Sequence, residues 1–141
     1  NALMDPEIAY ILMREENPDF IRVLMHPDAM LIPANDEGAG VIRAAQSGPV
    51  FSCPDEGAFL HMRYTARTRS IVWRDDPLTA QAVGFLSELM ASDNQYIYRH
   101  RLAAGEGVLC HNVLHNRTAF EDDESQQRLI LRARYFDRIA Y

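Results

Sequence analysis

The side chains that could do chemistry crowd into the last third of this 141-residue chain, in the stretch HNVLHNRTAFEDDESQQRLILRARYFDRI at 111–139. His115 closes the apolar run VLCHNVLH, an acidic loop follows at 121–127, and Arg128 and Arg132 stand 13 and 17 places downstream of the histidine. A neutral imidazole ligates a divalent transition metal. A guanidinium clamps a carboxylate through two parallel hydrogen bonds. The pattern therefore suits a metal site beside an anion site. A lone histidine at a strand end is more often a hydrogen-bonded structural residue than a ligand, and the spacing by itself leaves both readings open. If 128–135 is a strand, alternation puts Arg128, Arg132 and Arg134 on one face and Leu129, Leu131, Ala133 and Tyr135 on the other. The second face packs, and the first needs something anionic.

Several elements must position these groups. Asp5-Pro6-Glu7 reads as a helix start, with a capping carboxylate, proline at the first helical position and an acid in the first turn. Asn17-Pro18-Asp19 repeats the signal, so residues 5–26 form a helical lead-in, with Phe20, Val23 and Leu24 facing inward. PANDEGAG at 33–40 is a loop, and residues 41–141 then turn to β: VIRAA, GPVFSC and a long run from Ala58 to Trp73. Asp76-Pro77 opens one more helix, in which Ala82, Val83, Leu86, Leu89 and Met90 make an apolar stripe at helical spacing. QYIYRHRL, a tight AAGEG turn, VLCHNVLH and the final arginine strand complete the chain. The predicted class is mostly β with flanking helices, in one domain over 1–141.

Composition bounds the function. A net charge of −6 argues against a general nucleic-acid binder. No run of apolar residues is long enough for a membrane-spanning helix. Cys53 and Cys110 are too few for a disulfide framework and read as reduced core residues of a cytoplasmic protein. All fourteen basic residues are arginine, so every cationic contact can be planar and bidentate. Arg63, Arg67 and Arg69 share one strand parity and read either as a charged sheet edge or as an anionic-substrate pocket. Arg134 reads as an ion-pair partner of Asp137 or of the acids at 121–124. His61, His100 and His111 read as structural, with His111 sharing the parity of Val113 and His115.

Taken together, the glycine turn Gly105/Gly107, the strand to Cys110, Asn112, His115, Arg117, Phe120, Arg128 and Arg132 resemble the C-terminal signature of the taurine dioxygenase-like (TauD/TfdA) family of Fe(II)- and 2-oxoglutarate-dependent oxygenases. Only the last 35 residues carry specific motifs, although the upstream pattern fits. The resemblance implies a double-stranded β-helix, or jelly roll, in which two histidines and a carboxylate hold iron. It implies that His115 is the distal histidine ligand and that Arg128 pairs with the far carboxylate of 2-oxoglutarate. Arg117 then supports the site, and Arg132 stands where some relatives contact an anionic substrate. The implied reaction converts 2-oxoglutarate to succinate and carbon dioxide while hydroxylating a small polar or anionic metabolite. A cupin-like anion-binding module, or a degenerate oxygenase without turnover, is the alternative. The partners expected are a small molecule and further copies of the chain, with neither nucleic acid nor membrane.

Asn112 stands three places before His115, where the family more often leaves five. The family's first two ligands come as His-x-Asp on an early strand, and this chain's one such string is His26-Pro27-Asp28, whose proline cannot donate to a ladder. The ligand pair is therefore expected upstream of Asn1, with this chain the C-terminal half of a longer enzyme and an incomplete jelly roll. His26 and Asp28 are the other candidates.

Overall fold

A computed structural model describes residues 1–34, 44–54, 59–65, 71–117 and 129–133. The chain enters through a short strand β1 (Ala2–Met4), whose Ala2 and Met4 are buried while Leu3 looks the other way. Helix α1 (Pro6–Glu16) starts where the sequence places it: the Asp5 carboxylate accepts the Glu7 N–H at 2.7 Å, and Pro6 fills a position whose missing N–H costs nothing. Asn17 both ends α1 and caps α2 (Pro18–Leu24), its side-chain oxygen accepting from the Asp19 N–H at 3.0 Å. Pro6, Ala9 and Met13 of α1 and Phe20, Ile21, Val23 and Leu24 of α2 form their buried faces.

The strands that follow are short. They are β2 (Met30–Ile32), β3 (Gln46–Gly48), β4 (Phe51–Ser52), β5 (His61–Met62) and β6 (Val72–Trp73). Helix α3 (Pro77–Ala91) is capped by Asp76, which accepts from both the Thr79 N–H (3.1 Å) and the Thr79 hydroxyl (2.8 Å). That double bond to the carboxylate holds Asp76 below its ordinary range. Ala82, Leu86, Leu89 and Met90 carry the buried stripe, and α3 packs on α2 and α1, with the Phe20 and Phe85 rings 5.9 Å apart. Strands β7 (Tyr98–Arg99) and β8 (Leu114–Asn116) end the regular structure among the described residues.

All pairing among the described residues is antiparallel. There one sheet runs β7-β1-β8, a second β3-β2-β6, and β4 pairs with β5. The core joins these sheets to the helices through Met4, Met13, Leu24, Met30, Val50, Phe51 and Leu86, all essentially inaccessible to solvent. Small antiparallel sheets with three helices are compatible with the implied fold. The described residues do not close two sheets into a jelly roll.

Several sequence expectations need correction. The run 58–73 is no single strand: the described part contains β5 and β6, and Arg67 and Arg69 lie outside the described residues. The strand expected from Val108 begins only at Leu114, because Asn112 takes a left-handed backbone (φ 42°) that breaks the ladder. His111 therefore shares no strand parity with His115. Residues 129–133 belong to no strand, and Leu129 and Leu131, expected to pack, are 83% and 86% exposed. Cys53 and Cys110 are free thiols, as expected, but both are exposed rather than in the core.

Candidate metal-ligand site

The β7-β1-β8 sheet positions His115. Leu114 opposes Met4 and is buried with it, so alternation turns His115 to the opposite, exposed face. Across the sheet His115 opposes Leu3, and Leu3 opposes Tyr98 on β7. Residues directly opposite in an antiparallel pair share a face. His115, Leu3 and Tyr98 thus form one row, assembled from three distant parts of the chain. The turn that delivers His115 to this row is fixed by Asn112, whose side-chain N–H donates to the Met62 carbonyl at 2.8 Å and ties 112 to β5. This contact gives the shortened Asn112–His115 spacing a physical role: a left-handed residue anchored by its own amide.

The proton on His115 is placed by its surroundings. Its Nδ1 lies 3.0 Å from the Val113 carbonyl oxygen, which can only accept, so Nδ1 carries the hydrogen. In the neutral ring the lone pair then sits on Nε2, the arrangement of a histidine ready to ligate through Nε2 while its other nitrogen is held by a carbonyl. His26 shows the reverse. Its Nδ1 accepts the Asp28 N–H at 3.1 Å, which leaves Nε2 as the protonated nitrogen of the neutral ring. Asp28 in turn accepts from the Ser47 hydroxyl at 3.4 Å. His26-Pro27-Asp28 is thus a turn between α2 and β2 whose polar atoms serve the turn. Among the described residues, no three His, Cys, Asp or Glu side chains converge as a metal cage.

The arginines divide. Arg117 and Arg132 are exposed, with no hydrogen bond or ion pair from their side chains among the described residues. Arg128, Arg134 and Phe120 lie outside those residues. Arg63 matches neither of its two expected readings. Its Nη2 donates to the carbonyls of Met30 (2.8 Å) and Gln46 (3.0 Å), and its Nη1 reaches the Ser47 carbonyl at 3.4 Å. It is a clip across β2 and β3, partly buried, and desolvation lowers its pKa.

His100 keeps its structural role. Its Nε2 and the Ala103 N–H both meet the Glu106 carboxylate, at 3.0 and 2.7 Å, across a turn with Gly105 at φ 83°. These bonds hold Glu106 below its ordinary range. Leu109 to Val113, which precede His115 in the chain, line an open cleft of about 690 Å³ together with Leu60, β5 and the start of α1. No helix among the described residues is long and apolar enough to cross a membrane.

The model of the family described as "Taurine catabolism dioxygenase TauD, TfdA family" matches residues 2–134. The chain belongs to the TauD/TfdA family. The match spans nearly the whole chain, including the helical lead-in that carries no specific motif of its own. No curated protein and no solved structure matches the chain significantly. Members of this TauD/TfdA family are in general dioxygenases. The roles of Leu3 and Tyr98 in the His115 row were invisible to motif reading, because they depend on strand register across more than 90 positions.

Proposed function

We propose that this chain forms part of an Fe(II)/2-oxoglutarate-dependent dioxygenase that hydroxylates a small polar or anionic metabolite. Family membership supports the class of reaction. The observation that carries the reading on this chain's own residues is the His115 proton: Nδ1–H is committed to the Val113 carbonyl, and Nε2 is exposed and free to ligate. His115 fits one position of the iron site. Arg128 holds the far carboxylate of 2-oxoglutarate, Arg117 supports the site beside the histidine, and Arg132 contacts an anionic group of the substrate. The metal and cosubstrate, when bound, supply the oxidising chemistry: one atom of O2 enters the succinate formed as CO2 leaves, and the other enters the substrate C–H bond. The protein's own work is to orient these groups and to keep the imidazole in its ligating tautomer.

The test is made on a polypeptide that also supplies the remaining iron ligands: succinate formation from 2-oxoglutarate in the presence of Fe(II), alongside titration of Co(II) as a spectroscopic substitute. His115→Ala abolishes turnover and weakens metal binding, while His26→Ala leaves both unchanged. Metal affinity retained in His115→Ala and lost in His26→Ala or Asp28→Ala overturns the assignment. Metal binding that depends on His115, with no succinate formed, favours an anion-binding module without turnover.

A further inference from the structure

We infer that Asn112 is a positioning residue for His115: it sets the Val113 carbonyl against Nδ1, and so decides that the ring turns a lone pair outward at Nε2 rather than an N–H. The use made of that lone pair rests on the oxygenase reading. The tautomer itself does not, because it belongs to the chain with no metal bound. Three observations meet within four residues. Asn112 holds a left-handed backbone, φ 42°, the one such non-glycine residue among those described. Its side-chain amide donates to the Met62 carbonyl at 2.8 Å. Leu114, two places on, already stands in the ladder opposite Met4. Only Val113 lies between the tie and the ladder, and its carbonyl oxygen is the atom 3.0 Å from Nδ1 of His115.

The peptide that holds the proton is thus pinned at both ends, and both pins are firm. Met62 is buried opposite the buried Phe51, and beside it the Arg63 N–H donates to the Val50 carbonyl at 2.7 Å. Leu114 and Met4 are buried together at the other end. A left-handed backbone is unfavourable for any residue with a Cβ, and asparagine tolerates it best. Here the amide secures that conformation by bonding a strand 50 positions away. Carbonyls inside a ladder point across to the neighbouring strand, away from side chains. Val113 stands just before β8, and the turn at Asn112 leaves its carbonyl to the imidazole. Without that acceptor the two neutral tautomers compete. A hydrogen on Nε2 would then present a donor where a ligand or proton needs an acceptor.

The experiment is nitrogen-correlated magnetic resonance of the full chain with no metal added, under alkaline conditions that keep the rings neutral. Two variants remove the amide donor in different ways. Asn112→Asp keeps the shape but has no hydrogen for the Met62 carbonyl, and Asn112→Gly takes the left-handed backbone without strain. In both, the ratio of Nδ1–H to Nε2–H at His115 is expected to fall about 5-fold, the net worth of one hydrogen bond. The tautomer of His26, set by the Asp28 N–H, is expected to stay as it is. Cross-strand contacts of Leu3 with His115 and of Met4 with Leu114 are expected to persist. Should Asn112→Asp not fold, Asn112→Gly decides alone. An unchanged His115 ratio, or a change matched at His26, overturns the inference. Loss of the cross-strand contacts in Asn112→Gly also overturns it, since Asn112 then supports the sheet at large and not the ring. Either failure leaves the oxygenase reading standing, and an absence of succinate leaves the tautomer result standing.

Discussion

Replacing Arg63 by methionine removes the clip across β2 and β3, and the structure sets the size of the effect. Two good hydrogen bonds from a charged donor are lost, at about 1.5–3 kcal/mol each, stranding the Met30 and Gln46 carbonyls. Against this, the Arg63 Nε–H is buried with no acceptor among the described residues, and its removal returns about 1–3 kcal/mol. The net expectation is a loss of about 2–3 kcal/mol, or roughly 6–12 °C in Tm for a chain of this size. Gly48 belongs to the same device, since a Cβ there would meet Arg63 Nη1 at 2.8 Å. Gly48→Ala therefore destabilises by about 1–3 kcal/mol in the native background and by much less in Arg63→Met, a coupling that a double-mutant cycle measures. The assay is urea unfolding followed by the fluorescence of Trp73, the chain's single tryptophan, which opposes Met30 in the same sheet. An unchanged midpoint in Arg63→Met, or additive effects of the two substitutions, refutes the clip.

Arg128→Lys cannot reproduce a bidentate grip, and Arg128→Ala is expected to weaken 2-oxoglutarate binding by about 2–4 kcal/mol, a 30- to several-hundred-fold rise in Kd by calorimetry. If Arg132→Ala gives that rise and Arg128→Ala does not, the two positions are exchanged. The carboxylates of Asp76 and Glu106 have folded pKa values below their unfolded ones, so their stabilisation is complete at neutral pH and drains away as pH falls through the lowered values. Acid unfolding of Asp76→Ala should accordingly be less steep than that of the native chain, whereas an identical slope removes the cap from the account. Nitrogen-correlated resonance of the neutral rings should find the unprotonated nitrogen at Nε2 in His115 and at Nδ1 in His26; the opposite assignment contradicts the ligand choice.

Local chemistry made the helices legible. Asp5-Pro6, Asn17-Pro18 and Asp76-Pro77 each satisfy free N–H groups within three residues, and all three helices begin there. The sheet was less legible, because a two-residue strand such as β5 or β7 leaves too few positions for alternation to register. Arg63 was misread for a related reason. Its parity with Arg67 and Arg69 pointed to a shared face, but its acceptors are carbonyls of strands whose approach no periodicity encodes. The cysteines were placed in the core because their surroundings read as strands, and the break at Asn112 moved Cys110 out of any strand.

The candidate site was legible as residue types and not as geometry. The family resemblance nominated His115, and its His-x-Asp pattern left His26-Pro27-Asp28 in contention, because ligand motifs record identity and separation without recording where the protons lie. In the folded chain that information is supplied by one backbone atom beside each ring. A carbonyl faces Nδ1 of His115 and an N–H faces Nδ1 of His26, so two identical side chains present opposite ring nitrogens as donors. A metal ion competes for a lone pair. At His115 the Nε2 lone pair is exposed and free. Ligation through Nε2 of His26 would need the ring to take its other tautomer and forfeit the bond that closes its turn, a net cost of about 1 kcal/mol before the metal gains anything. The β1–β8 register turns the His115 ring outward and the Val113 carbonyl holds its proton, and these two features are what favour His115 over His26 in the proposed assignment.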